Sequence, residues 1–176
     1  MRFRSGSRCE ARGSDDKLLA PMSAQELVPQ VIPEGLTINA AEADAILEIA
    51  YLAILADHRL SDEELGAFRG VVGKIKGKVP SETETNTLLD TLQARFKGAD
   101  PDERLRTLSA PLSSPMRELA YKVAYALGLS DMDASDEEFE FDLQLVDALE
   151  LSNDRAEDLA DEVMELFNGG SDDDET

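Results

Sequence analysis

Several residue types are scarce in this chain of 176 residues. Its single cysteine, Cys9, can form neither a disulfide framework nor a cysteine-based metal site within one chain, which favours a reducing compartment. Tryptophan is absent and aromatic residues make up 5% of the sequence, as is typical of a helical core built from Leu, Ala, Ile and Val. No apolar run reaches the roughly 18 residues of a membrane-spanning helix, because Glu48 and Asp57 bracket the strongest run.

Basic residues are also few, since 17 Lys and Arg stand against 38 Asp and Glu, for a formal net charge of −21. Nucleic acids are bound through clustered Lys and Arg and would be repelled by such a surface. The charge therefore argues against nucleic acid as a partner and favours cations and basic proteins. Together with the lack of a spanning segment, it predicts a cytoplasmic protein that does not insert into a membrane.

The first 36 residues show no sustained hydrophobic periodicity and are predicted to be disordered or loosely attached, with one helical turn near Ser23–Val28. Four arginines lie in the leader, but it lacks the apolar region of about 7–15 residues that a secretory signal needs. Met22 opens a more ordinary start than Met1. The leader is therefore either part of the protein or an upstream extension of the reading frame.

Residues 37–168 carry the signals of an all-α bundle of about seven helices. Capping pairs precede apolar stripes at three- and four-residue spacing, and no segment shows the period-two alternation of a strand. The helix after Asn39 is apolar nearly all round, which places it at the centre of the bundle. Residues 169–176 are expected to form a disordered acidic tail. Two of the later helices are predicted to bury the stripes Leu88, Leu89, Leu92, Phe96 and Phe139, Leu143, Val146, Leu149.

One segment of the sequence occurs twice. Ala45–Glu64 aligns with Leu119–Glu138 at a shift of about 74 residues, with roughly eight identities in about twenty positions. The shared residues include apolar ones that would fill a core and acidic ones at a turn, and each copy ends in Ser-Asp-Glu-Glu. We interpret the chain as two related helix–acidic turn–helix units packed together.

These two hydrophobic helices, each running through an Ala-Asp or Ser-Asp step into a Ser-Asp-Glu-Glu turn, resemble the TerB-like domains of bacterial tellurite resistance. The resemblance covers about Leu36–Phe167. It implies a helical module of a bacterial stress or metal-response system, with turn acids that are associated with divalent cations and with a membrane-associated protein as partner. TerB-like domains place Gly after the turn Asp, where this chain has His58 and Met132.

The acidic turns contain the candidate ligands for a metal ion. Asp57 lies near the carboxyl end of its helix, where the macrodipole disfavours an anion, and Asp131 is similarly placed. A hard cation such as Ca²⁺ or Mg²⁺, held by oxygen ligands, would offset that cost. The predicted ligands are Asp57 and Glu64 in the first turn and Asp131, Asp133 and Glu138 in the second.

A second interpretation of the turns needs no ligand. Glu64 and Glu138 occupy the third helical position, where a carboxylate reaches back to the capping amide. The second turn also departs from an EF-hand, because Asp136 stands where Gly is needed and Asp142 replaces the final Glu. The first turn has Arg59 where a ligand would be wanted.

Signals of catalysis are missing from the sequence. His58 stands beside Asp57 without an identifiable nucleophile, and no phosphate-binding loop or metalloprotease motif occurs. We therefore predict a non-enzymatic protein and carry two hypotheses. In the first, a TerB-like module binds a divalent cation or a partner protein through its acidic turns. In the second, the chain is a purely structural acidic interaction module without a metal site.

The cation hypothesis predicts a saturable heat when Ca²⁺ or Mg²⁺ is titrated into the protein below millimolar concentration. A metal that binds only the folded state also stabilises it, by about 2.7 kcal/mol at a hundredfold excess over the dissociation constant. Asp131→Asn should abolish both effects. An equal rise in melting temperature with monovalent salt, or no saturable heat, would reject the site and favour the structural module.

Overall fold

The computed structural model describes residues 22–56, 60–129 and 136–169. Within these ranges the chain forms eight α-helices and no strand, which confirms the all-α prediction. The described helices pack around one hydrophobic core. They are α1 (Ala24–Val31), α2 (Ala40–Leu55), α3 (Asp62–Lys76), α4 (Glu82–Phe96), α5 (Pro101–Ser109), α6 (Ser114–Gly128), α7 (Asp136–Ala148) and α8 (Asn153–Phe167).

Helix α2 lies at the centre of the bundle, as its apolar sequence predicts. It begins at a capping box in which Asn39 Oδ1 accepts a hydrogen bond from the Glu42 backbone amide at 2.9 Å. Ten of its sixteen residues are buried, including Glu48. A helix that is apolar nearly all round needs neighbours on most sides, and α3, α4, α5 and α6 all contact it.

Glu42 joins the starts of α2 and α6. Its Oε2 accepts hydrogen bonds from Asn39 Nδ2 at 2.8 Å and from the Asn39 backbone amide at 3.3 Å. Its Oε1 accepts from the backbone amide of Ser113, the N-cap of α6, at 3.3 Å. The hydrogen bond from the Asn39 backbone is the main reason that the pKa of Glu42 is lowered. The Glu42 carboxylate therefore accepts hydrogen bonds at the amino-terminal ends of both α2 and α6, which start side by side.

The helix contacts show that the sequence repeat extends beyond the hairpin on which it was recognised. The caps Asn39 and Ser113 are about 74 residues apart, the same shift as the repeat. With α1–α4 matched in order to α5–α8, most of the contacts of one half recur in the other. Helix α1 packs on α3 and α6, and its counterpart α5 packs on α7 and α2. The bundle is thus built from two four-helix units that exchange contacts.

Glu48 places a carboxylate in the middle of α2, where its side chain is 2% exposed. Arg104 of α5 reaches it with Nε at 2.6 Å and Nη2 at 2.5 Å from Oε1. Arg95 of α4 stands farther away, with Nη1 3.9 Å from Oε2. A buried carboxylate is tolerated only when it is paired, so Glu48 fixes where α5 approaches α2.

The N-terminal segment differs from the prediction that residues 1–36 are loosely attached. Residues 24–31 form α1, in which Leu27 and Val28 are fully buried. The backbone amide of Met22 also donates to the carbonyl of Phe167 at 3.1 Å, which ties this segment to the end of α8. Pro29 within α1 weakens the local helical signal, but burial against α3, α6 and α8 supplies the stability that the local sequence lacks. Residues 1–21 and 170–176 lie outside the described residues.

The length and apolar content of the described helices also bear on membrane association. None of these helices combines the length and hydropathy needed to cross a bilayer.

The pairing of Glu48 generates a stability prediction. Arg104→Met leaves a buried carboxylate without its close partner and should lower the free energy of unfolding by about 3–5 kcal/mol, measured by urea denaturation at pH 7. Replacing both residues by Met should restore most of that loss, since no charge then remains buried. Arg106→Met on the same helix is the matched control, because its pair with Asp147 is exposed and contributes at most about 1 kcal/mol. Equal losses in Arg104→Met and the control would contradict the assigned role of Glu48.

Candidate functional site

The predicted metal ligands are only partly within the described residues. Asp57, Asp131 and Asp133 lie outside them, as does His58. Glu64 is 5% exposed in the first turn of α3, and its Oε2 accepts from the backbone amide of Ser61 at 2.7 Å and from Ser61 Oγ at 2.9 Å.

The second turn contributes one predicted ligand to the described residues. Glu138 lies in the first turn of α7, where it is half-buried. Across the described part of the chain, no group of three or more acidic, His or Cys side chains is placed to hold a metal ion. The Ca²⁺ or Mg²⁺ site stays a prediction that concerns the turns themselves.

Helices α4 and α7 bury less than their sequences predict. Of the expected stripe on α4 only Leu92 is buried, whereas Leu88, Leu89 and Phe96 are half-buried. On α7, Val146 and Leu149 are buried as predicted, but Phe139 is 66% exposed and Leu143 is 53% exposed. The prediction of a buried stripe is therefore wrong for the first half of α7. Phe139 and Leu143 border two other clefts, whereas Phe96 borders an open space between α4 and α7.

That space is a groove of about 890 Å³ between α4 and α7, which we call the wide groove. Its floor comes from the second half of α2 and the start of α5, and includes Leu52, Leu55 and Leu105. Its two walls are stripes at positions i, i+3, i+4 and i+7 of one helix each. These stripes are Asp90, Gln93, Ala94 and Lys97 along α4 and its C-cap, and Glu137, Glu140, Phe141 and Gln144 along α7.

The lining of the wide groove carries unneutralised negative charge. Asp90, Glu137 and Glu140 are exposed, and none of them forms a salt bridge with another described residue. Lys97 is the one basic residue among the described lining residues. Burial, and secondarily the nearby charge of Asp90, raise the pKa of Tyr51 at the floor. The groove thus combines an apolar floor with an acidic rim.

A second cleft lies on the other side of α7. This small pocket, of about 250 Å³, is enclosed by α2, α6 and α7 and is mostly apolar, with Ala53, Ala124 and Gly128 making room for it. Phe141 lines both clefts and separates them. Open space therefore lies on two sides of the first half of α7. Its second half packs in the core through Leu145 and the residues after it.

Three ionisable side chains meet at the edge of the small pocket. The rings of Tyr121 and Tyr125 stack with centroids 6.0 Å apart, and the Tyr121 hydroxyl is hydrogen-bonded to the Asp142 carboxylate. Burial raises the pKa of Tyr121, and the charge of Asp142 raises it further. Burial also raises the pKa of Asp142, which the hydrogen bond from Tyr121 offsets only in part. The carboxyl of Asp142 and the two phenols thus share a partly buried place, where the hydrogen bond from Tyr121 favours the charged form of the carboxyl and burial disfavours it.

The internal repeat shows why the wide groove exists. Helix α1 rests on α3, α6 and α8. The counterparts of these three helices are α7, α2 and α4, which are the helices that line the groove. Helix α5, the counterpart of α1, packs on α7 and α2 but makes no comparable contact with α4. In one half of the molecule, α1 covers the surface formed by α3, α6 and α8. In the other half, α5 covers only part of the corresponding surface formed by α7, α2 and α4, and the uncovered part is the wide groove.

Sequence reasoning did not find this groove, although one signal was present. Phe139, Phe141 and Leu143 follow one another at every second position of a helix, so they cannot share one face, and of the three only Phe141 lines the groove. Such a helix has more apolar surface than one packing contact covers.

The chemical groups of the described residues that line the wide groove are carboxylates, amides, a phenol and an amine, which suit ion pairing and hydrogen bonding.

Comparison with protein-family models, with curated proteins and with solved structures finds no match to this chain. The resemblance to TerB-like domains accordingly stays a prediction that depends on the short motifs of the two turns.

The environment of Asp142 predicts a pH-dependent effect on stability. Because folding raises the pKa of this carboxyl, its ionisation opposes folding as the pH rises through the folded pKa, and the penalty is absent below the unfolded value of about 3.8. Asp142→Asn should therefore raise the melting temperature at pH 7 and leave it unchanged near pH 3. Thermal denaturation followed by circular dichroism from pH 3 to 8 measures this. A lower melting temperature of the variant at pH 7 would show that the charged form is stabilised instead.

Proposed function

We propose that this chain is a non-enzymatic interaction module that binds a cationic, partly apolar segment of a partner protein in the wide groove. The observation that carries the proposal is the pairing of an apolar floor with a rim of carboxylates that have no salt-bridge partner among the described residues. Apolar floors supply affinity through burial, and complementary charges select and orient the partner.

The overall charge of the protein supports the same class of partner. A formal net charge of −21 raises the local concentration of cationic ligands and repels nucleic acids and anionic lipid surfaces. A basic protein segment can satisfy both the rim and the floor, whereas a small inorganic cation would leave the apolar floor exposed to water. The large volume of the groove, about 890 Å³, also exceeds what a single ion needs.

The TerB-like resemblance adds a biological setting to this proposal. It implies a cytoplasmic module in a bacterial stress or metal response, which meets a membrane-associated protein through its acidic face. In that setting, recruitment to the membrane comes from contact with the protein partner, because anionic lipid would repel the module. Cation binding at the acidic turns is compatible with this role and has its own test above.

Neutralising the rim should weaken the binding of a cationic peptide. The probe is a fluorescein-labelled peptide of about 12 residues made of lysine and leucine, followed by fluorescence anisotropy with the full chain. The double variant Glu137→Gln and Glu140→Gln should raise its dissociation constant about three- to tenfold at low salt, because two attractive charges are lost. The variant should also show a weaker dependence of binding on salt concentration.

The matched control is the double variant Glu157→Gln and Glu165→Gln. It removes the same charge from exposed positions of α8, outside the lining of the groove. It should leave the dissociation constant within about twofold of the unmodified protein, given the weakness of screened charges at a distance. Equal weakening by the two double variants would mean that the peptide binds the acidic surface in general, and would reject the groove as the site.

A further inference from the structure

We infer that the occupant of the wide groove is an amphipathic α-helix of about two to three turns, with its apolar face on the floor and basic residues along one flank. This inference deepens the proposed function and rests on it. It identifies the conformation and the residue pattern of the partner segment, which the charge of the rim alone does not determine.

The walls of the groove set the length of the occupant. Each wall is a stripe that runs from position i to position i+7 of one helix, namely Asp90 to Lys97 on α4 and Glu137 to Gln144 on α7. At a rise of about 1.5 Å per residue, each stripe is about 10 Å long. An occupant that contacts both walls along their whole length therefore spans about two turns as a helix, and only about three residues as an extended strand.

The groove is large enough to take much of a helix of that length. A helix with its side chains is about 10–12 Å wide, so two turns enclose on the order of 800–1,200 Å³. The groove measures about 890 Å³. An extended segment of three residues would leave most of this space filled with water, including the space above the half-buried Leu55.

In the other half of the molecule, one helix alone covers the surface whose counterpart α5 covers only in part. Helix α1 has eight residues, and it lies against α3, α6 and α8, the counterparts of α7, α2 and α4. Its Leu27, Val28 and Val31 are buried, at the three- and four-residue spacing of a helix that presents one face to that surface. A ligand helix beside α5 would contact α4 in the second half, as α1 contacts α8 in the first half.

The charges around the groove assign the flanks of the ligand helix. Glu137 and Glu140 project from successive turns of α7, so basic residues three or four positions apart on the ligand would face them. Across the groove, α4 presents Gln93 and Ala94 between Asp90 and Lys97, a wall with no net charge. The ligand helix is thus basic on its α7 flank, neutral on its α4 flank and apolar between them.

Two peptides of identical composition test this pattern. Both contain about 12 residues of leucine and lysine, one with leucines spaced three and four apart and the other with leucines at every second position. Only the first places all leucines on one helical face. It should bind the full chain at least about tenfold more tightly, since the burial of a single leucine accounts for that ratio. It should also gain helical circular dichroism on binding, and should shift the backbone amide resonances of both α4 and α7.

A variant that blocks the groove completes the test. Ala94→Phe places a bulky side chain in the wall formed by α4, and Ala41→Phe adds the same group to an exposed position of α2 that does not line the groove. Ala94→Phe should weaken the helical peptide by at least about tenfold, whereas Ala41→Phe should not. Near-equal affinity for the two peptides, or resonance shifts on one wall only, would overturn the helical occupant and leave the cationic-segment proposal standing. Failure of both peptides to perturb the groove would reject the proposed function and this inference together.

Discussion

The burial of most of α2 is the constraint on which the arrangement of this bundle depends. A helix with ten buried residues cannot rest on the surface of a bundle, so the other helices are distributed around it. Its polar groups make this placement specific. Glu42 accepts the backbone amides at two helix starts, and the buried Glu48 is paired with Arg104, because a buried carboxylate is tolerated only when it is paired. Burial of apolar side chains thus drives the folding of the bundle. The contacts of Glu42 and Glu48 determine where α6 and α5 lie relative to α2.

The repeat of the sequence explains both the regularity and the asymmetry of the molecule. Because the two four-helix units exchange contacts, each central helix, α2 or α6, belongs to the core of both. A duplicated unit is free to diverge where its packing is not shared. That divergence is visible at α4, which keeps its contact with α2 but makes no contact with α5 comparable to the one between α1 and α8. An open groove is the consequence, and it lies beside the acidic helix α7.

Much of the fold could be predicted from local signals. The capping boxes at Asn39, Ser61 and Ser81 mark helix starts that the structure confirms, since each is a bond between residues three positions apart. What escaped prediction depends on distant contacts. Helix α1 contains a proline and has only eight residues, so its stability comes from its packing against α3, α6 and α8 and not from its own sequence. Likewise, Phe139 and Leu143 follow the spacing of buried residues, but no helix of this chain covers them among the described residues. A periodic pattern shows that a face is apolar, and it does not show whether the cover comes from the same chain.

The acidity of the protein and its exposed apolar residues can be understood together. Large apolar side chains such as Phe139 on a surface normally promote self-association, which is why such patches are small in monomeric proteins. Here they lie on a helix that begins with Asp136, Glu137 and Glu138, so two copies of α7 would bring like charges together as they approached. Under the proposed function, the same charges would attract a basic helix. Repulsion between copies and attraction of a cationic partner would then come from one set of carboxylates, and the open groove would favour the partner over a second copy of the chain.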